Sequence, residues 1–208
     1  MTSRGRFISL EGGEGVGKST QVKALASVLE DRGIRCLVTR EPGGSGGAEA
    51  IRDLLLQGDD SRWGPEAEAL LFAAARADHV HKTIRPALEE GRWVLSDRFV
   101  DSSLAYQGGA GGLGIETVRA INAFGIGETF PDRTLILLLD DGQDRALQRD
   151  RDEPDRIGGR SREYHHRVET AFRLIAAEEA QRVRLIDASG SPHQVTERLL
   201  DAIADLLP

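Results

Sequence analysis

A chain of 208 residues with 39% hydrophobic and 29% charged residues is long and apolar enough to bury a sizeable core, which excludes a disordered polymer. Its net charge of −7, from 34 acidic against 27 basic residues, gives no long-range attraction to nucleic acid, and its apolar runs are far too short to span a membrane. A single cysteine, Cys36, forms no intrachain disulfide and the N-terminal residues show no signal-peptide pattern, so a reducing cytoplasm is the expected compartment.

In chain order, short β-rich runs alternate with helical stretches. Phe7–Leu10 reads as a strand, and Ser19–Arg32 follows as a helix with Val22, Leu25, Ala26 and Leu29 on one face and Gly33 to close it. Cys36–Thr39 is the second strand, a buried one in which the thiol is inert, and Gly43–Gly47 is a glycine-rich loop. A helix is expected from Pro65 to about Lys82, a strand at Trp93–Ser96, a second glycine-rich loop at Gly108–Gly114, and a helix over Gly114–Phe124 ended by Gly125 and Gly127. Strands at Thr134–Leu139 and Val183–Ile186 flank a helix near Arg162–Gln181. The last helix has Ser191 as cap and Pro192 in its first turn. This alternation predicts one α/β domain with a five-stranded parallel sheet and helices on both faces, and Leu135–Leu139 has the continuous apolar character of a strand buried on both sides.

Gly12-Gly13-Glu14-Gly15-Val16-Gly17-Lys18-Ser19 satisfies G-x-x-x-x-G-K-[ST] between a predicted strand and a predicted helix, the context that this motif requires. Its glycines let successive backbone N–H groups turn toward a phosphate. Lys18 reaches the β/γ oxygens, Ser19 offers a hydroxyl to Mg²⁺, and the helix N-terminus, with Thr20, adds its dipole. The stretch Gly12–Thr20 is therefore assigned to a nucleoside triphosphate. The chain contains no Asn-Lys-x-Asp tetrapeptide of the kind that reads guanine in switch GTPases, and a kinase needs a second anion grip. Two arginines at predicted strand ends supply one: Arg40 in Thr39-Arg40-Glu41-Pro42-Gly43, and Arg98 after Asp97 in Ser96-Asp97-Arg98. Asp97 can hold Mg²⁺, directly or through water.

Leu10-Glu11-Gly12 with its loop, Thr39–Gly44, Leu70-Leu71-Phe72-Ala73-Ala74-Ala75-Arg76, Ser96–Phe99 and Ala105-Tyr106-Gln107-Gly108-Gly109 occur in that order. Together they resemble the bacterial thymidylate kinases, from about Phe7 to the C-terminus. The resemblance implies a P-loop fold, ATP and Mg²⁺, and transfer of a phosphoryl group to dTMP in dTTP biosynthesis. It implies that Phe72 stacks on thymine, Arg76 reaches the base carbonyl, and Ser103 meets the base edge. Tyr106 would crowd the sugar 2′ position with Gln107 beside it, Glu14 would face the 3′-hydroxyl, and Arg40 and Arg98 would hold the acceptor phosphate. It also implies a homodimer, with neither nucleic acid nor membrane as partner. Lys18, Asp97, Arg98 and one lid arginine form the expected catalytic set. A kinase of another monophosphate, or a regulatory module that binds ATP without transfer, are the alternatives.

Seven arginines fall between Arg145 and Arg167, where the family has its lid, here about residues 149–160. A phosphate loop without a basic residue at Gly15 or Val16 implies a lid cation, with Arg149, Arg151 and Arg156 as candidates and Arg151 favoured. Ala75, Gly158 and Phe172 depart from the residues common in the family, and the lid is about two residues short. His79 and His81 make a poor metal pair, and His165 and His166 are expected on the surface.

Overall fold

The computed structural model describes residues 4–139 and 156–208. Five parallel strands, β1 (Phe7–Gly12), β2 (Cys36–Arg40), β3 (Trp93–Asp97), β4 (Arg133–Leu138) and β5 (Val183–Asp187), form one sheet in the order β2-β3-β1-β4-β5. Every residue of β1 and β4 is buried, as their central places require. The register is what builds a site: Leu10 and Arg40 are both level with Asp97, so the carboxyl ends of β1, β2 and β3 open at one height.

Successive strand residues face opposite sides, and each side has its own core. Ile8, Leu10, Leu95, Leu135 and Leu137 pack under α1 (Lys18–Asp31) and the C-terminal helix. Phe7, Val94 and Ile136 pack with Phe99, Leu104, Phe172 and Ile175 on the other side. There the chain forms α2 (Gly46–Leu56), α3 (Pro65–His79), a π-type stretch Val80–Ile84 running into α4 (Arg85–Glu89), α5 (Val100–Ser103), α6 (Ile115–Ile126) and α7 (Arg162–Glu178). The C-terminal helix, α8 (Pro192–Ala202), starts with Ser191 and Gln194 capping each other reciprocally. Among the described residues, no helix is long and apolar enough to cross a membrane.

Several expectations need correction. Gly43–Gly47 is not wholly a loop: α2 begins at Gly46, with the Ser45 hydroxyl accepting from the Ala48 N–H at 3.4 Å. The Gly108–Gly114 loop is helical through Ala110, in a π-type turn Leu104–Ala110 that follows α5. Glycine serves close approach there: a Cβ on Gly109 would lie 2.5 Å from the Ala171 Cβ of α7. Gly125 likewise lies inside α6, where a Cβ would come 2.7 Å from that of Ala77 on α3. The strand of Cys36 is an edge strand and the thiol is half-buried, because no strand among the described residues pairs with β2 on its outer side. Burial still pushes that thiol up to about 11, so it is inert at neutral pH. His165 is buried rather than on the surface, its Nε2 lying 3.2 Å from the Gly158 carbonyl oxygen.

The Gly109 contact carries a test. Gly109→Ala is expected to lower unfolding stability by ~1–3 kcal/mol in urea melts, although alanine is the better helix former. Adding Ala171→Gly makes room, so the double variant should be less destabilised than the sum of the two single changes.

Candidate functional site

The carboxyl ends of the strands open into a cleft of about 640 Å³. Its walls are the phosphate loop from Glu14 through Thr20, Arg40 at the end of β2, Phe72 and Arg76 on α3, and Asp97, Arg98, Ser103, Tyr106 and Gln107 after β3. Gly12 and Gly13 stand behind the wall and serve through their carbonyl groups. Gly12, Gly15 and Gly17 have positive φ, which turns the loop back on itself ahead of α1. Lys18 opens α1 and folds back over the loop, donating from Nζ to the Gly13 carbonyl at 2.5 Å. Burial lowers its pKa, with Arg98 adding to the effect against the opposing charges of Glu14, Asp97 and Glu11. Beside it the Ser19 hydroxyl donates to Asp97 Oδ2 at 2.5 Å. One hydroxyl and one carboxylate are hard oxygen donors, the type that a small divalent cation takes together with nucleotide oxygens.

Across the cleft, Arg98 has φ 73, the left-handed region that non-glycine residues rarely enter. Its N–H donates to Leu10 O at 2.9 Å, and its own carbonyl accepts from Ser96 Oγ at 2.7 Å. The guanidinium, thus turned inward, donates from Nη1 to Gly12 O and Ser102 Oγ, both at 3.0 Å, and from Nη2 to Glu14 Oε1 at 2.6 Å. It also lies over the Tyr106 ring, 5.0 Å from the centroid. Burial works against the Glu14 anion, yet Arg98, Lys18 and the Tyr106 hydroxyl hold its carboxyl down at about 2. Burial drives the Tyr106 hydroxyl upward, so it remains a neutral donor, 3.2 Å from Glu14 Oε1.

On α3, Phe72 is half-buried, packed against the core and exposed to the cleft. Arg76 is 2% exposed. It donates to Glu41 Oε2 (2.7 Å), Ser103 Oγ (3.0 Å), Asn122 Oδ1 (2.5 Å) and the Phe99 carbonyl (3.1 Å). Of its five N–H groups, one on Nη2 is without a partner among the described residues. Glu41 is held from behind by His79 Nδ1 at 2.9 Å. Arg40 is exposed and paired with Glu49 at 3.1 Å. Gln107 lines the cleft, but its amide donates to Glu68 at 2.9 Å.

The family model for thymidylate kinase matches residues 10–199. The chain belongs to the thymidylate kinase family. It is 59% identical over 206 residues to the thymidylate kinase of Rhizorhabdus wittichii, covering 98% of this chain and 99% of that one. It is 51% identical over 211 residues to that of Bradyrhizobium diazoefficiens, covering 100% of this chain and 92% of the relative. The crystal structure of thymidylate kinase from Ehrlichia chaffeensis superposes with a TM-score of 0.79 at 29% identity, covering 96% of this chain and 99% of that chain.

Within this thymidylate kinase fold, two of the expected lid arginines, Arg149 and Arg151, lie outside the described residues. The third candidate, Arg156, is not a cation poised for transfer: it is buried, donating from Nε to Leu55 O at 2.8 Å and from Nη2 to Glu68 at 2.5 Å. Sequence reasoning also missed cleft residues. Arg52 and Leu56 come from the overlooked helix α2, and Ala188, Gly190 and Val195 line the end beyond β5 without any motif to mark them.

Glu11 was missed as well. Fully buried at the end of β1, it accepts from the Phe99 N–H at 2.7 Å and from Ser102 Oγ at 2.5 Å, bracing the chain on either side of the Arg98 guanidinium's hold. Burial and the nearby Asp101 charge push its carboxyl up to about 8. A folded-state value above the unfolded one favours the fold below about pH 4.5 and withdraws that stability as pH rises toward 8. Thermal melts between pH 5 and 8 should therefore show Glu11→Gln losing less stability with rising pH than the parent protein.

Proposed function

We propose that this chain transfers the γ-phosphoryl group of ATP to dTMP, giving dTDP and ADP, as a single thymidylate kinase domain acting in the cytoplasm. The observation that carries the reading is one cleft with two anion grips: the phosphate loop with Lys18 on one side and the inward-turned Arg98 on the other. A nucleoside monophosphate is already largely dianionic at neutral pH, so no general base is needed, and the site has only to align donor and acceptor and neutralise the transferring oxygens.

In this reading Gly12–Thr20 cradles the triphosphate, and Ser19 and Asp97 hold Mg²⁺, which supplies charge neutralisation on the phosphate oxygens. Arg98 holds the acceptor phosphate, joined by Arg40 once an anion draws it from Glu49. Phe72 stacks on thymine. The remaining N–H of Arg76 serves the base carbonyl, Ser103 and Gln107 border the base and sugar, and Tyr106 with Glu14 closes around the deoxyribose. With Arg156 committed elsewhere, Arg151 is the arginine assigned to the transferring phosphoryl group. A homodimer is supported by the fully exposed Phe124 of α6 and by Leu70 of α3, 58% exposed, on two helices that pack together.

The test is ADP release from ATP and Mg²⁺ over a panel of nucleoside monophosphates. Turnover is expected with dTMP and little with adenylate, guanylate or cytidylate. Activity centred on another monophosphate would overturn the base contacts, and ATP binding without any turnover would favour a regulatory module. Arg151→Ala should lower kcat about 10³-fold, the scale of a lost transition-state arginine, while leaving KM for dTMP within a few fold.

A further inference from the structure

Glu68 sits on α3 one turn before Phe72 and two turns before Arg76, so all three side chains share a helix face. It is 3% exposed. A buried carboxylate is costly unless it is fully paired, and Glu68 is paired three times. Oε1 accepts from Gln107 Nε2 at 2.9 Å, while Oε2 accepts from Arg156 at 2.5 Å and Arg160 at 2.7 Å.

Each arm ends at the cleft. Gln107 lines it directly, and so does Ile157, the residue following Arg156. Arg156 also ties α2 through the Leu55 carbonyl. Arg160 donates to the Tyr164 hydroxyl at 2.7 Å, and that hydroxyl donates to the Tyr106 carbonyl at 2.9 Å. Tyr106 in turn touches Arg98 and Glu14. One anion thus gathers the base-side helix, the segment from Arg156 to Arg160 and the sugar-side turn. Without it, two guanidinium groups would crowd together in a buried place.

We propose that Glu68 is a positioning residue for acceptor binding: by holding Gln107, Arg156 and Arg160 together it sets the spacing between Phe72 and Tyr106 across the dTMP half of the cleft. The inference rests on the reading of that half as the dTMP site. Steady-state kinetics of the parent protein, Glu68→Gln and Arg160→Met, with dTMP and ATP varied in turn, provide the test. Hydrogen exchange of the amides from 156 to 165 in the nucleotide-free proteins gives a second readout. Glu68→Gln should raise KM for dTMP about tenfold, with KM for ATP and kcat within about threefold, and should speed exchange in that segment. Arg160→Met leaves Arg156 and Glu68 paired one to one, and should raise KM for dTMP in the same direction but less. If both variants melt at lower temperature while KM for dTMP stays at the parent value, Glu68 is only a structural ion-pair partner and the proposal fails. Should Glu68→Gln not fold, Arg160→Met alone decides by the same criterion. A parent protein that does not phosphorylate dTMP would instead refute the functional reading, and the inference falls with it.

Discussion

Arg98 joins the phosphate loop, the end of β3 and the Ser102–Tyr106 side of the cleft through one planar cation. Left-handed backbone at a residue with a Cβ costs on the order of 1–2 kcal/mol, and it persists only where the surroundings over-determine it. Here they do. The Arg98 N–H is held by Leu10, its carbonyl by Ser96, and the next N–H, that of Phe99, by the buried Glu11 carboxyl group. With the backbone fixed in that way, the guanidinium meets Gly12 and Glu14 of the loop, so the donor and acceptor grips of the proposed reading are tied directly to each other.

Local charge runs against global charge. The chain is acidic, with a net charge of −7, yet its cleft is lined by Lys18, Arg40, Arg52, Arg76 and Arg98. Each acidic neighbour has a definable task. Glu14 orients Arg98, Glu41 orients Arg76, and Glu49, whose carboxyl is lowered by the Gly44 N–H and by Arg40, keeps Arg40 at the rim. Pairing of this kind limits the self-repulsion of clustered cations and leaves them preorganised for a phosphate, which competes with a carboxylate for the same fork of donors.

Much of this was legible in the sequence where function depends on contiguous residues. The phosphate loop, Asp97-Arg98 and the parallel sheet all show as local spacing or as unbroken apolar runs. What stayed hidden is long-range or depends on absence of side-chain bulk. Glu11, Glu41 and Glu68 look like ordinary charged residues, because their buried partners lie 35 or more positions away. The glycines at 109 and 125 read as loop or terminator and are instead helical, since the gain from close helix packing outweighs their poor propensity, while Gly46 opens its helix behind the Ser45 cap. His165 reads as surface beside His166, and its burial comes with contacts that spacing does not show, to the Gly158 carbonyl and the Tyr164 ring. The edge position of β2, and so the half-exposure of Cys36, is set by strand order, which spacing along the chain does not encode.

Calorimetric binding of dTMP and of thymidine to the parent protein and to Arg98→Lys tests the central role of Arg98 most directly. Lysine keeps the charge but loses the planar fork that reaches Gly12, Ser102 and Glu14 together. The account predicts that Arg98→Lys weakens dTMP binding about 10- to 100-fold and leaves thymidine, which lacks the phosphate, nearly unchanged. Parent-like affinity for dTMP in Arg98→Lys, or equal losses for both ligands, would contradict it.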